Sequence, residues 1–287
     1  MAITDKEQGV WLLDEVYAKQ NEGDIWSYDA AYEVYTWGRN SDGSLGLNQQ
    51  GLPKSRSSPV QLPGTDWITP VINGGNEGAI NGALKTGGAL WMWGQNETGE
   101  MGQNSTNNGY SSPVRVGGAS DGWAGGCINA NSQFIVKTDG TLWTWGSNGH
   151  GVLGHNNNTS YSSPRQLSGT TYTGAMGKVA AGGNGTMTVI KTDGTMWVWG
   201  RNDEGGEVGD ANQISRSSPV QVPGSWSKCA RGSNFGMALN SAGELWTWGR
   251  NDSGALGLSN NQHYSWPQKV GTATNWADIS CSASSGY

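Results

Sequence analysis

The groups in this 287-residue chain whose types could hold a metal or act as nucleophiles are three histidines, three cysteines and a few aspartates in turns. His150 and His155 flank a Gly-rich turn in GHGVLGH, and His263 stands apart. Two imidazoles five residues apart, with no carboxylate pair nearby, fall short of a zinc set. Asp42, Asp203 and Asp252 sit in Asn-containing turns that end in Gly. A calcium loop needs more oxygen ligands and a terminal Glu, so turn chemistry accounts for these aspartates. Cys127, Cys229 and Cys281 are too few and too scattered for a disulfide framework and read as small buried hydrophobes. No phosphate-cradling GxxxxGK[ST] motif is present, and no Ser-His-Asp set can be nominated without arbitrary choice. The expectation is a protein with no metal, no cofactor and no catalysis.

Residues suited to recognition stand out better. Five variable polar stretches read LNQQGLPKSR, QNSTNNGY, HNNNTSY, DANQISR and LSNNQHY, and each is followed by Ser-Ser-Pro or, in the last, Ser-Trp-Pro. They end in Arg56, Tyr110, Tyr161, Arg216 and Tyr264. Tyr and Arg are favoured at interface hot spots, and Asn bonds adaptably, so these five residues are the candidate partner-binding set.

What must position them is a repeat. Trp-Gly recurs at Trp37, Trp93, Trp145, Trp199 and Trp248, with another aromatic two residues earlier at Tyr35, Trp91, Trp143, Trp197 and Trp246. An Asn and then a pair of Gly follow each copy, as in GQNETGEMG and GRNDSGALG. The paired aromatics share one face of a strand, and VIKTDGTMWVWG reads as two strands joined by Asp193-Gly194. The Ser-Ser-Pro stretch reads as a surface loop before a final edge strand. Trp67, Trp123, Trp226 and Trp276 open units, leaving only Trp11, Trp26 and Trp266 outside the scheme. Four full units are expected at about 67–116, 123–167, 176–222 and 226–270, with a half unit at each end.

Composition agrees. Gly at 47 residues argues against a helical bundle, and 16 Trp with 14% charge argue against disorder. Residues 34–287 hold 15 acids and 15 bases, so the body shows no footprint for nucleic acid. No run is apolar enough for a membrane helix, and MAITDKEQG is no signal peptide.

The pattern G-x-L/M-W-x-W-G-x-N-x-x-G-x-L-G…S-S-P-x-x-V resembles the repeats of the RCC1-like (regulator of chromosome condensation) propellers. The resemblance spans about residues 34–287 and implies a β-propeller, and the four full units with two half units make the expectation an all-β, five-bladed β-propeller. Propellers of that family usually have seven blades, so the count here departs from the pattern. The two half units are complementary, and a ring closed by 276–287 against 30–62 would leave no open edge. The resemblance also implies a protein-interaction role. Family members that exchange nucleotides on a small GTPase use a protruding wedge, and no insertion of that size occurs here.

Residues 1–33 differ, with eight acids against two bases. Thr4-x-x-Glu7 is a capping box, and Val10, Trp11, Leu13, Val16 and Tyr17 give a short helix a broad apolar surface. The expectation is a short N-terminal α-helical arm that anchors the chain. The stretch DKEQGVWLLDEVYAKQNEGDIWSYD resembles the N-termini of virion structural proteins in tailed bacteriophages of marine bacteria. That resemblance implies a structural or fibre-type virion protein. The arm would meet other virion proteins or a second copy, and the propeller loops a neighbour or a host-surface receptor or glycan. The alternatives are a soluble, cytoplasmic RCC1-like interaction module and a glycan-binding lectin.

Overall fold

A computed structural model describes residues 33–282, apart from 41, 50–54, 72–79, 108, 119–121, 130, 170, 176 and 177. Among these residues the regular structure is β-strand, with one short 3-10 turn at Gly149–Gly151. The expected helix bearing Val10, Trp11, Leu13, Val16 and Tyr17 lies outside the described residues.

Short apolar runs punctuated by Gly and Asn turns produce the sheets. β1 (Tyr35–Arg39) and β2 (Ser55–Gln61) pair in a two-stranded sheet. Four antiparallel four-stranded sheets follow. The second sheet holds β3 (Trp67–Val71), β4 (Ile80–Lys85), β5 (Ala89–Gly94) and β6 (Tyr110–Val116). The third holds β7 (Trp123–Ile128), β8 (Ser132–Lys137), β9 (Leu142–Gly146) and β10 (Tyr161–Gln166). The fourth holds β11 (Val179–Gly182), β12 (Thr186–Ile190), β13 (Met196–Gly200) and β14 (Arg216–Val222). The fifth holds β15 (Trp226–Arg231), β16 (Phe235–Asn240), β17 (Leu245–Gly249) and β18 (Tyr264–Lys269). Strands lie in sequence order within each sheet, so each is a meander like a propeller blade. The four units fall where the repeat places them.

Two local readings change. β12 and β13 do pair around Asp193-Gly194, but the connection is wider, with Lys191 N–H donating to Thr195 C=O and Gly194 N–H to Lys191 C=O. Ser-Ser-Pro is not a loop before the last strand but a bulge within it. Gly94 pairs with Tyr110 and Met92 with Val114, so Ser111, Ser112 and Pro113 on β6 stand opposite Trp93 alone on β5. Proline has no N–H for a ladder, and an outer strand tolerates both it and the bulge.

The bulges belong to the joints between sheets. The second Trp of each pair crosses to the preceding sheet. Trp93 Nε1 donates to Ser44 C=O (2.9 Å), Trp145 to Glu100 (2.8 Å), Trp199 to Val152 (2.6 Å) and Trp248 to Glu207 (2.9 Å). The first Ser of each bulge accepts an N–H from the preceding sheet's turn, Asn48 to Ser111, Asn104 to Ser162, Asn156 to Ser217 and Ala211 to Ser265, at 2.7–2.8 Å. A Gly packs against the same Ser. A Cβ on Gly151 would lie 2.4 Å from Ser217 Cα, and Gly43, Gly99 and Gly206 meet Ser111, Ser162 and Ser265 likewise. Apolar cores fill the same seams, for instance Ile80, Met92, Ile128 and Trp145 between the second and third sheets.

The two ends of the row lack these joints. β1 pairs with β2 alone, and Trp37 is 62% exposed, against at most 2% for Trp93, Trp145, Trp199 and Trp248. Trp276 begins as unit openers do, its N–H donating to Gly243 C=O as Trp226 does to Gly194. Beyond it, Ile279 and Cys281 pack on the outer face of the fifth sheet. Among the described residues, no strand from the C-terminal end lies beside β1 and β2. The rest of the expected closure, 30–32 and 283–287, lies outside them.

Candidate functional site

The frame that presents the variable stretches is built on buried asparagines. Asn40, Asn96, Asn148, Asn202 and Asn251 each follow a Trp-Gly and are almost wholly buried. In each, Oδ1 accepts the backbone N–H of the apolar residue after the turn, as from Met101 to Asn96 and Leu153 to Asn148. Nδ2 reaches into the variable stretch. Asn148 donates to Asn157 and Thr159 carbonyls at 2.9 Å, and Asn251 to those of Asn260 (2.9 Å) and Gln262 (3.1 Å). Asn96 and Asn202 do the same with Ser105 and Asn107, and with Asn212 and Ile214. Each amide thus ties a rigid turn to a stretch whose other side chains are free to differ. In the described parts of these stretches, Thr106, Asn158, Gln213, Ile214 and Asn261 are exposed.

The five candidate residues occupy equivalent positions. Arg56, Tyr110, Tyr161, Arg216 and Tyr264 stand opposite Gly38, Gly94, Gly146, Gly200 and Gly249 on the outer strand of each sheet. They start or nearly start those strands rather than ending exposed loops, and all five are half-buried. Each has internal work. Tyr161 bonds Asn157 Nδ2 at 3.1 Å, packs edge-on to His155 and lies under Arg165. Tyr264 accepts from Asn260 Nδ2 (3.3 Å), Arg216 pairs with Asp210 (2.7 Å), and Arg56 donates to Gln49. Tyr110 packs against the core between the second and third sheets. They support the stretches, whose contact surface is the exposed residues between them.

The chemistry-bearing groups are otherwise engaged. Among the described residues no three His, Cys, Asp or Glu side chains gather as a metal set. His155 Nε2 lies 2.9 Å from Thr144 Oγ1, and burial, then the Arg165 charge, pushes its pKa down to about 4. Burial pushes the Cys229 and Cys281 thiols up to about 12 and raises Cys127 further, which makes them poor nucleophiles. Asp203 and Asp252 each pair with an arginine. A mesh of Arg201, Asp203, Glu204, Arg250, Asp252 and His263 spans the fourth and fifth sheets, with Arg250 to Glu204 at 2.9 Å and His263 to Asp252 at 2.8 Å. No helix of the described residues is long and apolar enough to cross a membrane.

Sequence reasoning missed two things. Tyr172 takes the opener's place in the fourth unit, its N–H donating to Gly140 C=O as Trp123 does to Gly88. Its spacing after the KTDG turn at 137–140, which matches that of Trp226 after the KTDG turn at 191–194, was the available signal. The Lys that opens each hairpin turn, Lys85 in KTGG and Lys137 and Lys191 in KTDG, carries no signal in the turn pattern, yet its ammonium lies over the opener's ring.

Comparison with known proteins agrees with this geometry. The family model described as "Regulator of chromosome condensation (RCC1) repeat" matches residues 33–76, 139–189 and 242–286. The chain is 29% identical over 199 residues to the probable E3 ubiquitin-protein ligase HERC4 of Mus musculus, covering 68% of this chain and 18% of the ligase. It is 28% identical over 193 residues to HERC2 of the same species, covering 65% of this chain and 4% of that one. The chain thus spans less than a fifth of the length of these curated relatives. Human WBSCR16 superposes with a TM-score of 0.70 at 24% identity, covering 87% of this chain and 65% of that one. Prp20p of Saccharomyces cerevisiae superposes with a TM-score of 0.52 at 15% identity, covering 88% and 79%. Repeat, strand order and these likenesses together support an RCC1-like repeat propeller fold.

Proposed function

We propose that the chain is a non-enzymatic protein-interaction module that binds its partner through the exposed side chains of the five variable stretches. One observation carries this reading: five buried Asn clamps hold five stretches of different sequence on one repeated frame. A rigid frame with variable exposed residues is the arrangement by which a scaffold presents a binding surface. Prp20p, of the same fold, is described by its binding to Gsp1p and histones, which supports protein as the partner class. The similarity to the ligases is confined to a small share of their length, and ubiquitin transfer is not carried over.

The test replaces Asn158, Gln213, Ile214 and Asn261 by Ala together. The variant should melt with the parent and lose the partner recovered with it; full retention of that partner would refute the reading. A glycan array run in parallel separates a polypeptide partner from a sugar. Attachment to a virus particle through residues 1–33 rests on the likeness of that segment alone. Assembly that is unaffected by deleting 1–33 would dismiss it.

A further inference from the structure

Three units cap their tryptophans with a lysine, and one does not. Lys85 Nζ lies 4.5 Å from the Trp67 ring centroid and 5.4 Å from Trp91. Lys137 lies 4.6 Å from Trp123 and 4.7 Å from Trp143, and Lys191 lies 5.0 Å from Tyr172 and 4.7 Å from Trp197. Each ammonium sits between the opener's ring and the first Trp of the next pair, within cation–π range of both.

In the fifth unit the same place in the register, opposite the opener, is taken by Asn240. Trp226 and Trp246 keep the same edge-to-face arrangement, with centroids 6.3 Å apart, as Trp123 and Trp143 do at 6.1 Å. Asn240 turns away from them. Its Nδ2 donates to Glu244 (2.6 Å), and its Oδ1 accepts from Ala242 and Glu244 N–H. Lys269, the nearest cation on the adjoining strand, is held by Glu244 at 2.6 Å. Among the described residues no Lys or Arg lies over either ring. Beside them stands Trp266, 42% exposed, where the second unit has Ser112. Pro223, Trp226, Asn240, Trp246, Trp266 and Pro267 line a cleft of about 250 Å³.

We propose that this cleft binds an alkylammonium group, the side-chain head of a lysine on a partner polypeptide. The protein's own lysines show what the two rings accept. The fifth unit omits that lysine and adds a third indole, and Glu244 keeps its own Lys269 engaged away from the rings. The cleft lies at the 240–244 turn, at the opposite end of the strands from the Gly249–Tyr264 pair that bears the variable stretch. It goes beyond the reading above, and the two can fail separately.

The test is ¹⁹F NMR of the full chain labelled with 5-fluorotryptophan, titrated with n-butylammonium, tetramethylammonium and neutral 1-butanol. Saturable shifts of the Trp226, Trp246 and Trp266 signals are expected with n-butylammonium and not with butanol. Asn240→Lys, which supplies the capping ammonium internally, should abolish them. Trp266→Ser, the residue of the other units, should weaken binding about tenfold, the scale of one partly desolvated cation–π contact. Equal response to butanol, no saturable shift, or binding unchanged in both variants would overturn the proposal. Binding of tetramethylammonium alone would assign the cleft to a quaternary headgroup instead and overturn the lysine assignment. Trp266→Ser changes an exposed residue, so it keeps the test decisive if Asn240→Lys does not fold.

Discussion

Trp145 and Trp37 hold the same place in the same motif, and they meet opposite fates. Trp145 is sealed between two sheets and bonded to Glu100 C=O, whereas Trp37 lies on the free side of the first sheet with most of its surface exposed. An indole in Trp-Gly becomes an anchor only when a preceding sheet offers a carbonyl and a Gly-floored slot. The motif describes half of a joint. The fifth sheet carries the other half, and among the described residues no indole bonds to it: Gly254, which packs on no Ser, and Ala255, whose C=O is the counterpart of those that accept an indole elsewhere.

The sharpest way to break this comparison is truncation. Trp145→Ala should cost roughly 3–5 kcal/mol in denaturant unfolding, the usual range for a buried aromatic. Trp37→Ala should cost under about 1 kcal/mol if the indole stays exposed, as surface changes do. A Trp37→Ala loss equal to that of Trp145→Ala would show that the two ends of the row meet in solution, as the sequence pattern expects.

The clamp asparagines come next. Asn148→Ala removes a buried side chain that bonds Leu153, Asn157 and Thr159, and about 2–3 kcal/mol is expected from orphaned backbone groups. The 154–161 stretch should then exchange its amide hydrogens faster than its four counterparts.

Gly151→Ala sets a Cβ 2.4 Å from Ser217 Cα at a φ of +76°. Gly254→Ala, at a φ of +72°, meets only the Asn261 side chain at 3.6 Å. The second change should cost about 1 kcal/mol for left-handed backbone alone, and the first clearly more. Equal melting temperatures for the two variants would contradict the difference between a filled and an open joint.

The smallest effects are in pH. Burial raises the Glu207 pKa, so its contribution is fully present below the ordinary carboxylate range and is lost as pH rises through the raised value. Glu207→Gln should therefore be relatively more stable at neutral pH, seen as a flatter profile of melting temperature. Asp193 has the opposite sign. Its bonds from Thr195 Oγ1 and N–H hold its pKa down, and their contribution is lost as pH falls through that lowered value. Asp193→Asn should lose part of this acid-limb dependence.

The unit boundaries, the strand order and the turn asparagines were legible because they recur, and recurrence reports local geometry. The Ser-Ser-Pro bulge was not, because polar residues and a proline look the same in a loop and in an outer strand whose bulge receives a neighbour. Tyr172 escaped because it replaces a Trp by size and position rather than by type. Arg56, Tyr110, Tyr161, Arg216 and Tyr264 were found as an equivalent set, but their half-buried role depends on how the preceding stretch folds back, bringing Gln49, Asn157, Asp210 and Asn260 onto four of them.

By itself the sequence determined an all-β chain of repeated four-strand units with tight turns, since hydrophobic period, Gly at positive φ and Asn turns act over a few residues. Only the tertiary structure decided which tryptophans are anchors, which are capped by lysine and which stay open to solvent. Burial and cation–π contact depend on what the neighbouring strand or sheet supplies, and no motif carries its neighbour's surface within it.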